Sequence, residues 1–187
     1  MIKFYYGTMG AGKTTELIKT YDIYKRKGLE PVIIKPDIDT REGKQNGWGF
    51  TTSRITKETV PCYYYNNILD IYKLQSNSIL VDECQFMKPK DVEYLISYAD
   101  ECNIPLLGYG LKTDVNGNLF EGAKKWLALA DEIKELENLC QVDNCMCKAV
   151  AHKRFVGGKP DNSGKSVVID KGNVTYLSVC RKHWREL

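Results

Sequence analysis

No stretch of this 187-residue chain approaches the roughly eighteen consecutive apolar positions of a membrane-spanning helix, so no membrane role is expected. A charged leader with an apolar run is also missing. A strand-like segment starts at Ile2, which argues against a signal peptide and for a cytoplasmic location. Internal repeats and low-complexity tracts are absent. Charge of one sign is scarce: the net value is +3, too small to mark a nucleic-acid binder. Aromatic and basic residues do not interleave as a single-strand-binding groove requires, so no nucleic-acid partner is expected.

Apolar and charged shares of 43% and 27% are those of an ordinary soluble globular protein. The length suits one main domain with a small appendage. In a cytosolic chain the seven cysteines read as reduced thiols or metal ligands, not as a disulfide framework. Cys62, Cys84 and Cys102 are scattered; Cys140, Cys145, Cys147 and Cys180 crowd the last quarter. From Lys148 onward nine Lys or Arg face three Asp or Glu, a local +6, which leaves −3 on residues 1–147. A basic C-terminal lobe suits phosphates, ATP or nucleic acid, and equally a plain solvated surface.

Continuous apolar runs "IKFYY" (2–6), "PVIIKP" (31–36), "ILVDE" (79–83) and "IPLLGYG" (104–110) read as buried strands. Between them lie helical patterns. Leu17, Ile18, Tyr21 and Tyr24 share one face and Gly28 marks a stop; Val92, Leu95, Ile96 and Ala99 share another. "GAKKWLALAD" predicts a short helix and "EIKEL" a last strand, while residues 36–56 read as a long functional loop containing Trp48. Such alternation predicts an α/β fold, a mainly parallel sheet covered on both faces by helices. After Leu139 cysteines and turn residues take over, which places a boundary between domains 1–138 and 139–187.

Gly7, Gly12, Lys13 and Thr14 complete G-x-x-x-x-G-K-[ST] between a strand and a helix, the P-loop context. The glycines let backbone N–H groups of residues 7–15, through Met9, Gly10, Ala11 and Thr15, turn around a phosphate at the helix's positive end. Lys13 should reach the β- and γ-phosphates of ATP, and the Thr14 hydroxyl should hold Mg²⁺. A P-loop needs a second acid at a neighbouring strand end. "ILVDE" supplies Asp82 for the magnesium shell and Glu83 as a general base for an attacking hydroxyl. Downstream, Cys180 and His183 form C-x-x-H, and "CQVDNCMC" offers Cys140, Cys145 and Cys147. Two pairs about 35 residues apart suit a structural, tetrahedral Zn²⁺, with three cysteines competing for two places. Such a closed site would staple the intervening segment.

"GTMGAGKTTEL", "KPDIDTR", "VDECQF", "GYGLKTD" followed by F-E-G, and "SVCRKH" occur in the order seen in zinc-containing, P-loop thymidine kinases. The chain resembles that family over nearly its whole length. The resemblance implies a RecA-like P-loop domain plus a small zinc domain whose lasso loop covers the nucleoside. It implies transfer of a phosphoryl group from ATP to the 5′-hydroxyl of thymidine, with Zn²⁺, Mg²⁺ and a homotetramer. By the same resemblance Asp39 and Arg41 lie near the phosphates, and Met9, Phe86, Leu111, Thr113 and Phe120 line the thymine wall. Tyr176 is then a lasso aromatic, and the backbone around Val167, Val168 and Ile169 reads the thymine edge. Alignment on Ala149 and Arg154 makes Cys140 and Cys145 the upstream ligands, with Cys147 a spare thiol or an alternative. The family's upstream pair is C-x-x-C, and its lasso carries Gly-Gly where this chain has Lys171. His152 is expected on the surface or in a hairpin, not as a ligand. The competing readings are a zinc-ribbon P-loop ATPase acting on nucleic acid, and a nucleotide kinase; the latter usually carries an Arg-rich lid that this chain lacks.

Overall fold

The computed structural model describes residues 1–37, 45–161, 163 and 173–187. The first part builds a seven-stranded sheet. In chain order it runs β1 (Ile2–Tyr6), α1 (Lys13–Arg26), β2 (Pro31–Pro36), β3 (Trp48–Thr52), β4 (Thr59–Tyr65), β5 (Ser78–Val81), α2 (Pro89–Glu101), β6 (Leu106–Gly110), α3 (Glu121–Leu129) and β7 (Glu132–Glu135). The strand order is β3-β4-β2-β5-β6-β1-β7. Every pairing is parallel except β3 with β4.

Successive side chains of a strand point to opposite faces, so a strand apolar throughout must be covered twice. Ile79 and Val81 of β5 and Ile2 and Phe4 of β1 join Val92, Leu95 and Ile96 of α2 and Trp126 of α3. Leu80, Tyr5 and Leu107 face the other way, onto Leu17 and Ile18 of α1. Burying each large apolar side chain contributes about 1.5–3 kcal/mol, so these two layers hold the sheet. Gly108 makes room for the Trp126 indole: a Cβ there would lie 2.9 Å from the ring. α1 carries Glu16 in its first turn and Lys25 and Arg26 in its last, as the helix dipole favours. It ends before Gly28, whose φ of 79° suits glycine alone.

The C-terminal part forms a smaller antiparallel sheet of β8 (Ala151–Val156), β9 (Lys159–Pro160) and β10 (Val174–Val179), in the order β10-β8-β9, followed by α4 (Arg181–Glu186). Tyr176 stands opposite Arg154 in this ladder. Arg154, 1% exposed, donates from Nε to Asp161 Oδ2 at 2.6 Å, which fixes one foot of the segment between β9 and β10.

The predicted long loop needs correcting. Trp48–Thr52 is an edge strand, and residues 59–65 form a further strand that pairs with it. Trp48 is exposed, yet it packs edge-on against Tyr63 at 5.5 Å. Among the described residues no helix is long and apolar enough to cross a membrane.

Candidate active site and metal centre

In a parallel sheet the strand ends gather along one edge, and ligands bind there. β1, β5 and β6 lie side by side, so the loops after Tyr6, Val81 and Gly110 converge. The first is the glycine-rich turn into α1. Gly10 and Gly12 take φ of 79° and 78°, and a Cβ on Gly7 would lie 2.5 Å from the Leu136 carbonyl oxygen. Lys13 folds back over this turn, donating from Nζ to the carbonyls of Gly7 (3.1 Å) and Thr8 (2.9 Å). Burial lowers its pKa, while the charges of Glu83 and Asp82 oppose that shift. The turn that follows β3 clamps the helix start. Thr15 and Ser53 share a hydroxyl hydrogen bond of 2.8 Å, and Ile55 lies 3.5 Å from where a Gly12 Cβ would be. Among the described residues, Thr8 Oγ1 is buried with no hydrogen-bond partner.

At the end of β5 the two acids behave differently. Asp82 is buried: its Oδ2 accepts from Thr51 Oγ1 at 2.6 Å and its Oδ1 from the Glu83 N–H at 3.0 Å. The Lys35 ammonium lies 3.7 Å away. Burial raises the Asp82 pKa, aided by Glu83; Lys35 and the Thr51 bond oppose it. Glu83 adopts φ 52°, a left-handed backbone that costs a non-glycine residue energy and recurs at functional sites. Its Oε2 accepts from Gln85 Nε2 at 2.6 Å, and Gln85 Oε1 accepts from the Leu111 N–H at 3.0 Å. Gln85, 2% exposed, thus joins the Glu83 carboxylate to the end of β6. Nearby, Phe86 and Phe120 meet edge to face, ring centres 5.6 Å apart. Leu111 and Thr113 follow on the same connection, with Thr113 bridged to Leu119.

In the small unit Cys140, Cys145, Cys180 and His183 bring one ligand atom each within 4.8 Å of one another. The Cys140 and Cys180 sulfurs lie 3.3 and 3.5 Å from His183 Nδ1. This set could hold a metal, and three thiols with one imidazole at these separations fit a tetrahedral site of zinc dimensions. The His183 N–H, at the start of α4, lowers the Cys180 pKa and so favours its thiolate, whereas burial raises that of Cys140. Cys147 is exposed and outside the cluster; it contributes its carbonyl, which accepts from the Cys140 N–H at 2.8 Å.

A family model described as "Thymidine kinase" matches residues 1–184. The chain belongs to the thymidine kinase family. A thymidine kinase of Streptococcus pyogenes serotype M3 is 39% identical over 187 residues, covering 96% of this chain and 94% of the relative. A thymidine kinase of Streptococcus agalactiae serotype V matches with the same identity and coverage. Membership makes the chain a kinase, a transferase with ATP as co-substrate, and does not favour the nucleic-acid ATPase.

The structure brings Gly7 to Thr15, Asp82 and Glu83 to one sheet edge and sets Phe86 against Phe120. Tyr176 is half-buried on β10. Asp39, Arg41, Val167, Val168 and Ile169 lie outside the described residues. For His152 only the surface alternative is overturned: it lies on β8, a strand of the β8–β9 hairpin, and outside the Cys/His cluster. It is 4% exposed, and its Nε2 accepts from the Met9 N–H at 2.9 Å. Sequence reasoning also missed Gln85, Thr51, Lys35 and Arg54, whose charge acts on Lys13. "VDECQF" contained Gln85, but only its burial beside Glu83 reveals its part.

Proposed function

We propose that the chain transfers the γ-phosphoryl group of ATP to the 5′-hydroxyl of thymidine, with deoxyuridine as a second acceptor, giving a nucleoside monophosphate and ADP. One observation carries this reading: Glu83, oriented by Gln85, stands at the same sheet edge as the P-loop and Lys13. In the reaction the 5′-oxygen forms a bond to the γ-phosphorus while its proton passes to the Glu83 carboxylate. The bond from that phosphorus to the β-bridging oxygen breaks, and its electron pair leaves with ADP. Lys13 exchanges its two loop carbonyls for phosphate oxygens and draws off developing charge. The buried Thr8 hydroxyl is placed to find its missing partner there. Asp39 and Arg41 are proposed beside the phosphates.

Thr14 and Asp82 would hold Mg²⁺, which supplies charge neutralisation on the phosphates. Both Asp82 oxygens already accept one hydrogen bond, and a carboxylate with about four lone-pair sites retains room for a metal-bound water. Cys140, Cys145, Cys180 and His183 would hold Zn²⁺ as a structural cross-link, with no open position for chemistry. We further assign residues 1–138 and 139–187 as separate domains. Met9, Phe86, Leu111, Thr113, Phe120 and Tyr176 form the thymine wall, and residues 167–169 read the base edge. The enzyme is proposed as a cytoplasmic homotetramer. The test is a nucleoside panel with ATP and Mg²⁺, scored by monophosphate formation. Thymidine and deoxyuridine should be phosphorylated; ATP turnover stimulated by a polynucleotide and not by thymidine would refute the reading.

A further inference from the structure

Both polar groups of one P-loop residue are held from the metal-bearing unit. The Met9 N–H donates to His152 Nε2 at 2.9 Å. The Met9 carbonyl accepts from Ser178 Oγ at 2.7 Å and from Asn138 Nδ2 at 3.0 Å. His152 on β8 and Ser178 on β10 are partners in the ladder, so two neighbouring residues of the small sheet grip the two sides of Met9. They are 4% and 0% exposed. Accepting at Nε2 requires the neutral imidazole with its proton on Nδ1. Burial, with the Lys13 charge, pushes the His152 pKa down to about 4, which keeps the ring in that form at neutral pH.

The grip leads directly to the Cys/His cluster. Ser178 lies two residues before Cys180, and Gln141 follows Cys140. The Gln141 N–H donates to the Ser178 carbonyl at 2.8 Å, and Gln141 Oε1 accepts from the Ser178 N–H at 2.6 Å. On the other side, Gly10 takes a φ of 79°, open to glycine at little cost, and a backbone bond within the turn runs from the Ala11 N–H to the Thr8 carbonyl at 3.2 Å, with Lys13 Nζ bonded to the Gly7 and Thr8 carbonyls.

We propose that Met9 is a latch through which the metal-bearing unit sets the shape of the P-loop, with His152 as its positioning residue. The inference deepens the proposed function. Met9 stands where the phosphate cradle meets the thymine wall, so the latch aligns the nucleoside acceptor with the ATP phosphates. His152 acts through the Met9 peptide.

Three readouts on zinc-loaded protein test this. Hydrogen exchange at residues 8–12 should show a protected Met9 amide in the wild type, lost in His152→Ala and regained in His152→Gln, whose Oε1 can accept near the Nε2 position. The KM for thymidine should rise about tenfold or more in His152→Ala, as expected when a buried donor loses its partner. The KM for ATP should rise less, and zinc content should stay at the wild-type ratio. His152→Gln should restore the thymidine KM to within about threefold of wild type. Unchanged amide exchange and an unchanged thymidine KM in folded, zinc-loaded His152→Ala would overturn the latch. So would a loss that His152→Gln does not repair. Wild-type protein that protects the Met9 amide yet phosphorylates no nucleoside would refute the proposed reaction, leaving the latch standing.

Discussion

The large sheet and the small one are stabilised by different means. Among the described residues, the large sheet buries nineteen hydrophobic residues on one face and nine on the other. The small one gathers four: Cys140, Ala151, Val179 and Cys180. Half of that cluster consists of thiols from the Cys/His set. An element this small rarely stands on apolar burial alone, and metals are a common substitute. The two parts therefore differ in kind: a sheet with a large apolar core positions the glycine-rich turn and the two acids, and a smaller unit, whose core is half thiols of a Cys/His set that could hold a metal, packs against it.

The sharpest way to break this contrast is to remove the metal. Zinc binding supplies on the order of 10 kcal/mol in small zinc-dependent folds. Chelation or Cys180→Ser should unfold the small sheet first, seen as amide exchange across β8 and β10 while β1, β5 and β6 stay protected. Thymidine affinity should fall more than ATP affinity; equal loss of both would indicate general unfolding. Next in size, Glu83→Gln should reduce transfer by about two to four powers of ten, the range for a lost general base, while calorimetry shows near-normal ATP binding. Undiminished turnover would remove Glu83 from that role.

A third prediction uses pH on the small unit. His152 has a folded pKa of about 4 against an ordinary 6.5, so the unfolded chain binds more protons between these values. Stability from this group is therefore full above about pH 6.5 and falls as pH drops towards 4, by at most about 3 kcal/mol. Urea midpoints of the wild type should show that slope, and His152→Gln should flatten it; parallel slopes would sink the assignment. The smallest effect tests the large unit. A Cβ at Gly110 would lie 2.6 Å from Gln85 Oε1 and 2.8 Å from Cys84 Sγ. Gly110→Ala should cost about 1–3 kcal/mol in denaturant unfolding and lower kcat by displacing Gln85 from Glu83. A kcat equal to wild type would show that Gln85 does not orient the acid.

The sequence announces the parts governed by local rules. β1, β2, β5 and β6 are apolar runs, and the P-loop has a fixed spacing that its flanking strand and helix support. β3 escapes because its pattern is inverted: Trp48, Phe50 and Thr52 face outward while Gly49 and Thr51 are buried. Thr51 is inside because its hydroxyl serves Asp82, a reason no hydropathy pattern carries. β4 holds Pro61, and besides its sequence neighbour β3 it pairs in parallel with the more distant β2. The contact of His152 with Met9 spans 143 positions, so nothing near either residue advertises it. The four-ligand set was half legible. C-x-x-H was regular, but choosing Cys145 over Cys147 needed either the family pattern or the observed geometry.

The bond from Thr51 to Asp82 joins the rim of the sheet to its middle. β3 is the outermost strand, three places from β5, yet one hydroxyl of β3 reaches the carboxylate that β5 presents. If β3 slips by one residue, Thr51 turns to solvent and that carboxylate loses an acceptor bond at once. The margin of this protein is thus wired to its centre, and damage at the periphery becomes an electrostatic fault at the buried acid beside the glycine-rich turn.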